Sequence, residues 1–214
     1  MKTAGVTRER IVLVGHSLGT AVVSGVLEGF SESSTEDGGE DEGDGGERDF
    51  AGVVLIAGFS SLPKMLSGYA IAGWVPVLRP LTWWPWLLGI VMGRVVDKWD
   101  SATRLKGVVN SVNKRGGRLR LSLVHAKNDW DIPCHEDDRL FKAAVEGLFG
   151  EEGGMDGERF EVEKKKRMVV RGKDSFMAVW REGDVVIRQE LFPHGGEYSS
   201  SWVVAVGKTD SCRA

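Results

Sequence analysis

Cysteine is scarce in this chain: Cys134 and Cys212 are the only two among 214 residues, they lie far apart, and the second is almost at the C-terminus. That excludes a small disulfide-stapled scaffold and points to a reducing, intracellular compartment. An excess of positive charge is lacking too. The 28 Lys and Arg face 31 Asp and Glu, a formal net charge of −3, which argues against a nucleic-acid partner because phosphate binding needs a basic face. No secretory leader is legible at the N-terminus, where Met1-Lys2-Thr3 leads to Arg8, Glu9 and Arg10 and then only a short apolar run. No uninterrupted apolar segment reaches about eighteen residues, so a membrane-spanning helix is not expected. There is no internal repeat, and neither a cofactor nor a metal is expected.

What is present suits one domain with a real core: 42% hydrophobic and 28% charged residues over this length. Ile11-Val12-Leu13-Val14 reads as a parallel strand covered on both faces. A glycine turn follows, and then Thr20–Phe30, with Val22, Val23, Val26, Leu27 and Phe30 at helical spacing. The acidic tract from Ser31 to Arg48 (the insert 31–49) has too little apolar surface to offset the entropy of ordering, so a disordered surface loop is expected. Val53–Ala57 and Leu119–Val124, the latter ending at His125, are further strand candidates, and Glu136–Phe149 has one apolar helical face. The Gly-rich and charged segment within 150–167 is expected to be a mobile surface excursion. Val185–Leu191 reads as a strand and Ser199–Val206 as the start of a last helix. Strands alternating with helices indicate an α/β fold built on a parallel sheet.

Gly15-His16-Ser17-Leu18-Gly19 is weak as a bare pattern in a chain with 29 glycines. Its context is what gives it weight: it follows a buried-strand run and precedes a helical run, the strand–turn–helix that lifts a serine above a sheet. Ser17 is then the nucleophile, and the backbone N–H of Leu18 at the helix start is one oxyanion donor. A serine so placed needs an orienting acid and a base, which follow it in the order Ser, Asp, His. Asp129, in the loop after the third strand, is the candidate acid, with Asp131 as the alternative. Of four histidines, His16 lies inside the turn, His125 ends a strand and suits a structural hydrogen bond, and His135 opens a helix. His194 follows the last strand and is the candidate base.

The stretches RIVLVGHSLGT (10–20), FAGVVLIAGFS (50–60), VDKWD (96–100) and LSLVHAKNDWDIP (121–133) resemble the α/β-hydrolase superfamily. The resemblance is to its abhydrolase-domain group of lysophospholipase and monoacylglycerol-lipase-like proteins, fungal members in particular. It implies hydrolysis of an ester, plausibly a lipid ester, through an acyl-enzyme on Ser17. Two departures from the family pattern stand out. The strands that precede the nucleophile strand, and the loop supplying a second oxyanion N–H, are absent, so a truncated, partial α/β-hydrolase fold is expected, with Ile11–Val14 as a bare edge. The second is at the base, where Glu197 follows Gly195-Gly196 in the slot relatives give to histidine, and His194 stands before them. The resemblance also implies a cap or lid over residues 59–100, rich in tryptophan. Trp83, Trp84 and Trp86 there suit an acyl chain or peripheral contact with a membrane interface. Against the enzyme stand two alternatives, a catalytically impaired hydrolase-fold fragment and a peripheral membrane-binding module.

Overall fold

The computed structural model describes residues 6–36, 49–61, 70–71, 75–76, 99–129, 132–150 and 154–195. Strand β1 (Val12–His16) runs into helix α1 (Leu18–Glu36), and β2 (Gly52–Ile56) follows. A short antiparallel pair, β3 (Ala70–Ile71) and β4 (Val75–Pro76), precedes α2 (Ser101–Lys114), β5 (Leu119–Ala126) and α3 (His135–Phe149). The described chain ends with α4 (Gly157–Arg167), β6 (Met168–Gly172), β7 (Ser175–Glu182) and β8 (Val185–Phe192).

The described residues form a six-stranded sheet in the order β1-β2-β5-β8-β7-β6. The first four strands are parallel, and β7 and β6 extend the sheet antiparallel from β8. This is the expected α/β class, a mostly parallel sheet with flanking helices. Alternation along β5 sends Leu119, Leu121 and Leu123 to one face, where they pack with Val185 and Ile187 of β8, Leu105, Val108 and Val109 of α2, and Leu140, Phe141 and Val145 of α3. Val124 and Ala126 join Val54, Ile56, Phe59 and Ile132 in a smaller cluster. Gly147 lets α2 and α3 touch, since a Cβ there would lie 2.6 Å from the Lys106 carbonyl oxygen. Asp100 caps α2 by accepting from the Thr103 amide at 3.2 Å and its hydroxyl at 2.9 Å.

Three regions differ from the sequence expectation. Helix α1 continues to Glu36, six residues beyond Phe30, and so takes in the first part of the acidic tract. Within 150–167, read as a mobile excursion, Gly157–Arg167 is a helix. Its reason is one aromatic anchor: Phe160 is buried, stacked on Trp180 with ring centroids 6.1 Å apart and planes at 7°, while the Asp156 carboxylate caps the first turn through the Arg159 amide at 2.7 Å. The hairpin β6–β7 then fills residues for which the sequence suggested no element. Most of the expected cap over 59–100 (Trp83, Trp84 and Trp86 included), residues 37–48 and 196–214 lie outside the described residues. Among the described residues no helix is long and apolar enough to cross a membrane, and Cys134 is a free thiol.

Strand β1 is the outer strand on its side of the sheet, paired with β2 from Val12↔Gly52 to His16↔Ile56. Ile11 and Leu13 pack on the main core, whereas Val12 and Val14 are 52% and 54% exposed. Leu18 and Val22 of α1 are exposed beside them.

Candidate active site

The chain turns from β1 into α1 at a single residue. Ser17 takes φ +51, in the left-handed region that costs a residue with a Cβ about 1–2 kcal/mol. Hydrogen bonds overdetermine that conformation. The Ser17 amide donates to the Ile56 carbonyl at 2.9 Å, and the Ser17 carbonyl accepts from the Thr20 amide at 3.0 Å and the Thr20 hydroxyl at 2.7 Å. Gly15 permits the tight approach, because a Cβ there would sit 2.6 Å from the Gly19 carbonyl oxygen. Leu18 opens α1, and the first N–H groups of a helix have no partner within it and carry its positive dipole end.

Asp129 lies just past β5 in a tight turn. Its amide donates to the Ala126 carbonyl at 3.2 Å, and its Oδ1 accepts from the Ile132 amide at 3.1 Å. The side chain is 2% exposed, with Oδ2 3.8 Å from Nε2 of the fully buried His125. Asp131 lies outside the described residues. The His194 loop is stapled alongside this turn: the Lys127 amide donates to the Phe192 carbonyl at 2.8 Å, and the Gly195 amide to Asn128 Oδ1 at 2.8 Å. His194 itself is exposed. It sits near Asp174, whose carboxyl is held below its usual range first by the Lys127 ammonium and, to a smaller degree, by the charge of His194.

The structure thus gathers the loops carrying Asp129 and His194, the candidate acid and base, at the carboxyl ends of adjacent strands β5 and β8. Ser17 stands at the same end of the sheet, on β1, two strand spacings from β5, or about 10 Å. Among the described residues no hydrogen bond joins His194 to Ser17 or to Asp129. The turn at Ser17, the loop of Asp129 and the loop of His194 follow the parallel strands β1, β5 and β8 in that chain order.

Comparisons with known proteins add little to this geometry. No family model matches the chain. No curated protein matches it either. Among solved structures it is similar to Pyrococcus horikoshii acylaminoacyl peptidase in its orthorhombic crystal form, with 14% identity and a TM-score of 0.44. That match covers 92% of this chain and 21% of the peptidase, so the chain spans about a fifth of that protein's length.

The sequence reading passed over buried polar groups at the start of α3. Glu136 Oε2 accepts from the Ser60 amide at 2.8 Å, tying the segment after β2 to the start of α3. Asp137 is buried beside it, and burial pushes its carboxyl up to about 6 against the opposing influence of His125 and of a hydrogen bond from Gln189. A row of acids at a helix start reads as ordinary capping, which hid Asp137. Among the described residues no cluster of His, Cys, Asp or Glu is arranged to hold a metal.

Proposed function

We propose that the chain is a serine hydrolase of carboxyl esters, with a lipid-like ester as substrate, acting through an acyl-enzyme on Ser17. The observation that carries this reading is the φ of +51 at Ser17. A strained serine, hydrogen-bonded into place between a parallel strand and a helix start, is the kind of outlier that persists where function needs it. In this reading His194, oriented by Asp129, takes the hydroxyl proton as Oγ attacks the ester carbonyl, and the Leu18 N–H steadies the oxyanion. The proton passes to the departing alcohol as its C–O bond breaks, and water then releases the acid by the same route in reverse roles. The tryptophan-rich 59–100 segment, through Trp83, Trp84 and Trp86, is proposed to meet the acyl chain or a membrane interface. Neither a cofactor nor a metal takes part.

One observation favours a second reading, a catalytically impaired hydrolase fold: His194 faces solvent near Asp174 while Asp129 is buried against His125. A fluorophosphonate probe separates the two. Labelling of wild type that is lost in Ser17→Ala supports the enzyme; absence of labelling in folded wild type overturns it. Comparing His194→Ala with Glu197→Ala identifies the base, and liposome flotation with and without the three tryptophans tests membrane contact.

A further inference from the structure

The loop carrying Asp129 rests on a residue that the triad does not use. His125 is the penultimate residue of β5 and fully buried. By strand alternation it points to the face of Leu119, Leu121 and Leu123, beneath the start of α3. Its Nε2 lies 2.8 Å from the Ile132 carbonyl oxygen. A carbonyl only accepts, so Nε2 carries a proton and donates it. The Ile132 amide in turn donates to Asp129 Oδ1 at 3.1 Å, and Nε2 is 3.8 Å from Asp129 Oδ2. The imidazole therefore grips the turn of the acid from below.

The opposite ring nitrogen, Nδ1, is buried with no hydrogen-bond partner among the described residues, and so is Oδ1 of Asp137. Asp137 is close enough for a positive charge on His125 to favour its ionised form. Its Oδ2 accepts from Gln189 Nε2 at 2.7 Å, and the same amide reaches Asp138 Oδ1 at 2.8 Å, where Lys164 Nζ also donates at 2.6 Å. Among the described residues, the charged and titratable groups around the ring are thus Asp129 from the loop after β5, Asp137 and Asp138 from α3, and Lys164 from α4, with neutral Gln189 from β8. Glu136 is turned away to Ser60 and Arg139.

We propose that His125 is the positioning residue for Asp129 and that Asp137 governs its proton, so that the acid of the triad responds to protonation beneath it. This rests on the serine-hydrolase reading for its catalytic meaning, but the coupling itself does not. With His125 neutral, the Asp129 carboxylate serves His194. A second proton, on Nδ1 and stabilised by Asp137, makes the ring a cation within 4 Å of Oδ2. That cation draws the carboxylate to itself and away from the base.

The test titrates the whole chain by NMR, following the His125 ring nitrogens and the Asp129 carboxyl carbon, in wild type, His125→Gln and Asp137→Asn. Glutamine keeps an N–H for the Ile132 carbonyl but takes up no proton. Expected are a midpoint common to His125 and Asp129 in wild type, its loss from Asp129 in His125→Gln, and its displacement to lower pH in Asp137→Asn. An Asp129 titration unchanged in His125→Gln overturns the proposal. Where wild type reacts with fluorophosphonate, the acid limb of its rate against pH falls with the slope of two protons, and that of His125→Gln with the slope of one. A wild type that shows the shared midpoint but no labelling sinks the hydrolase reading and leaves the coupling standing.

Discussion

The two glycines flanking Ser17 occupy equivalent places in the motif, yet they are not equivalent in space. A Cβ on Gly15 would lie 2.6 Å from the Gly19 carbonyl oxygen and 2.9 Å from both the Gly19 carbonyl carbon and the Thr20 Cα. All three are backbone atoms, so no side-chain rotation relieves the clash. Non-bonded carbon contacts are comfortable near 3.5 Å, so the first turn of α1 must retreat by somewhat under 1 Å. Overpacking of that kind costs about 1–3 kcal/mol. A displacement near 1 Å at a reacting group lowers rate by up to about a hundredfold. At Gly19, nothing among the described residues lies within 4 Å of an added Cβ, and alanine favours a helix over glycine by up to about 1 kcal/mol. Gly15→Ala is therefore expected to lose about 2 kcal/mol in urea denaturation followed by circular dichroism, and most of its fluorophosphonate labelling rate. Gly19→Ala is expected to be neutral or slightly stabilising and to keep labelling. If the two variants fall within about 0.5 kcal/mol of each other, the packing argument for the turn is wrong.

Two further outcomes follow from the buried groups. The Asp137 carboxyl rises from an ordinary 3.8 to about 6 in the folded chain, so the native state binds that proton more tightly than the unfolded one. Its contribution is fully present below pH 4 and lost as pH rises through 6, a cost approaching 3 kcal/mol at pH 8. Asp137→Asn should then be more stable than wild type at pH 8 and match it at pH 4 in denaturant titrations; a difference independent of pH would contradict the burial argument. Phe160→Ala removes the anchor of α4 and should cost about 3–5 kcal/mol, with faster proteolysis within 157–167 than in wild type. Unchanged melting would mean that α4 is held by its ion pairs instead.

Legibility in the sequence divided along the range of the interactions involved. The strand–turn–helix around Ser17 could be read because its cause is local: a β-branched run, a glycine turn and a helical pattern are contiguous. The turn after β5 was legible for the same reason, since a strand pattern ends a few residues before Asp129. Helix α4 was hidden by its own charge. Four of its last four residues are basic, and one phenylalanine, whose partner Trp180 lies twenty residues on, supplies its anchor. The β6–β7 hairpin escaped notice because its pairing depends on β8, a strand later in the chain. The position of His194 was legible only as far as its strand, because where the ring points depends on Lys127, Asn128 and Asp174, contributed by other elements.

The outer position of β1 sets an order of events under stress. Strand β5 is bonded to neighbours on both sides, whereas among the described residues β1 is held in the sheet through β2 alone. Peeling β1 away breaks one ladder and uncovers Ile11 and Leu13, while Val12 and Val14 already face water. That opening demands far less free energy than global unfolding, so its amides should exchange with solvent sooner than those of β5. Ser17, the proposed nucleophile, travels with that strand. Mild heat or denaturant should therefore end any fluorophosphonate labelling of Ser17 while the helices and the central strands still give a native spectrum.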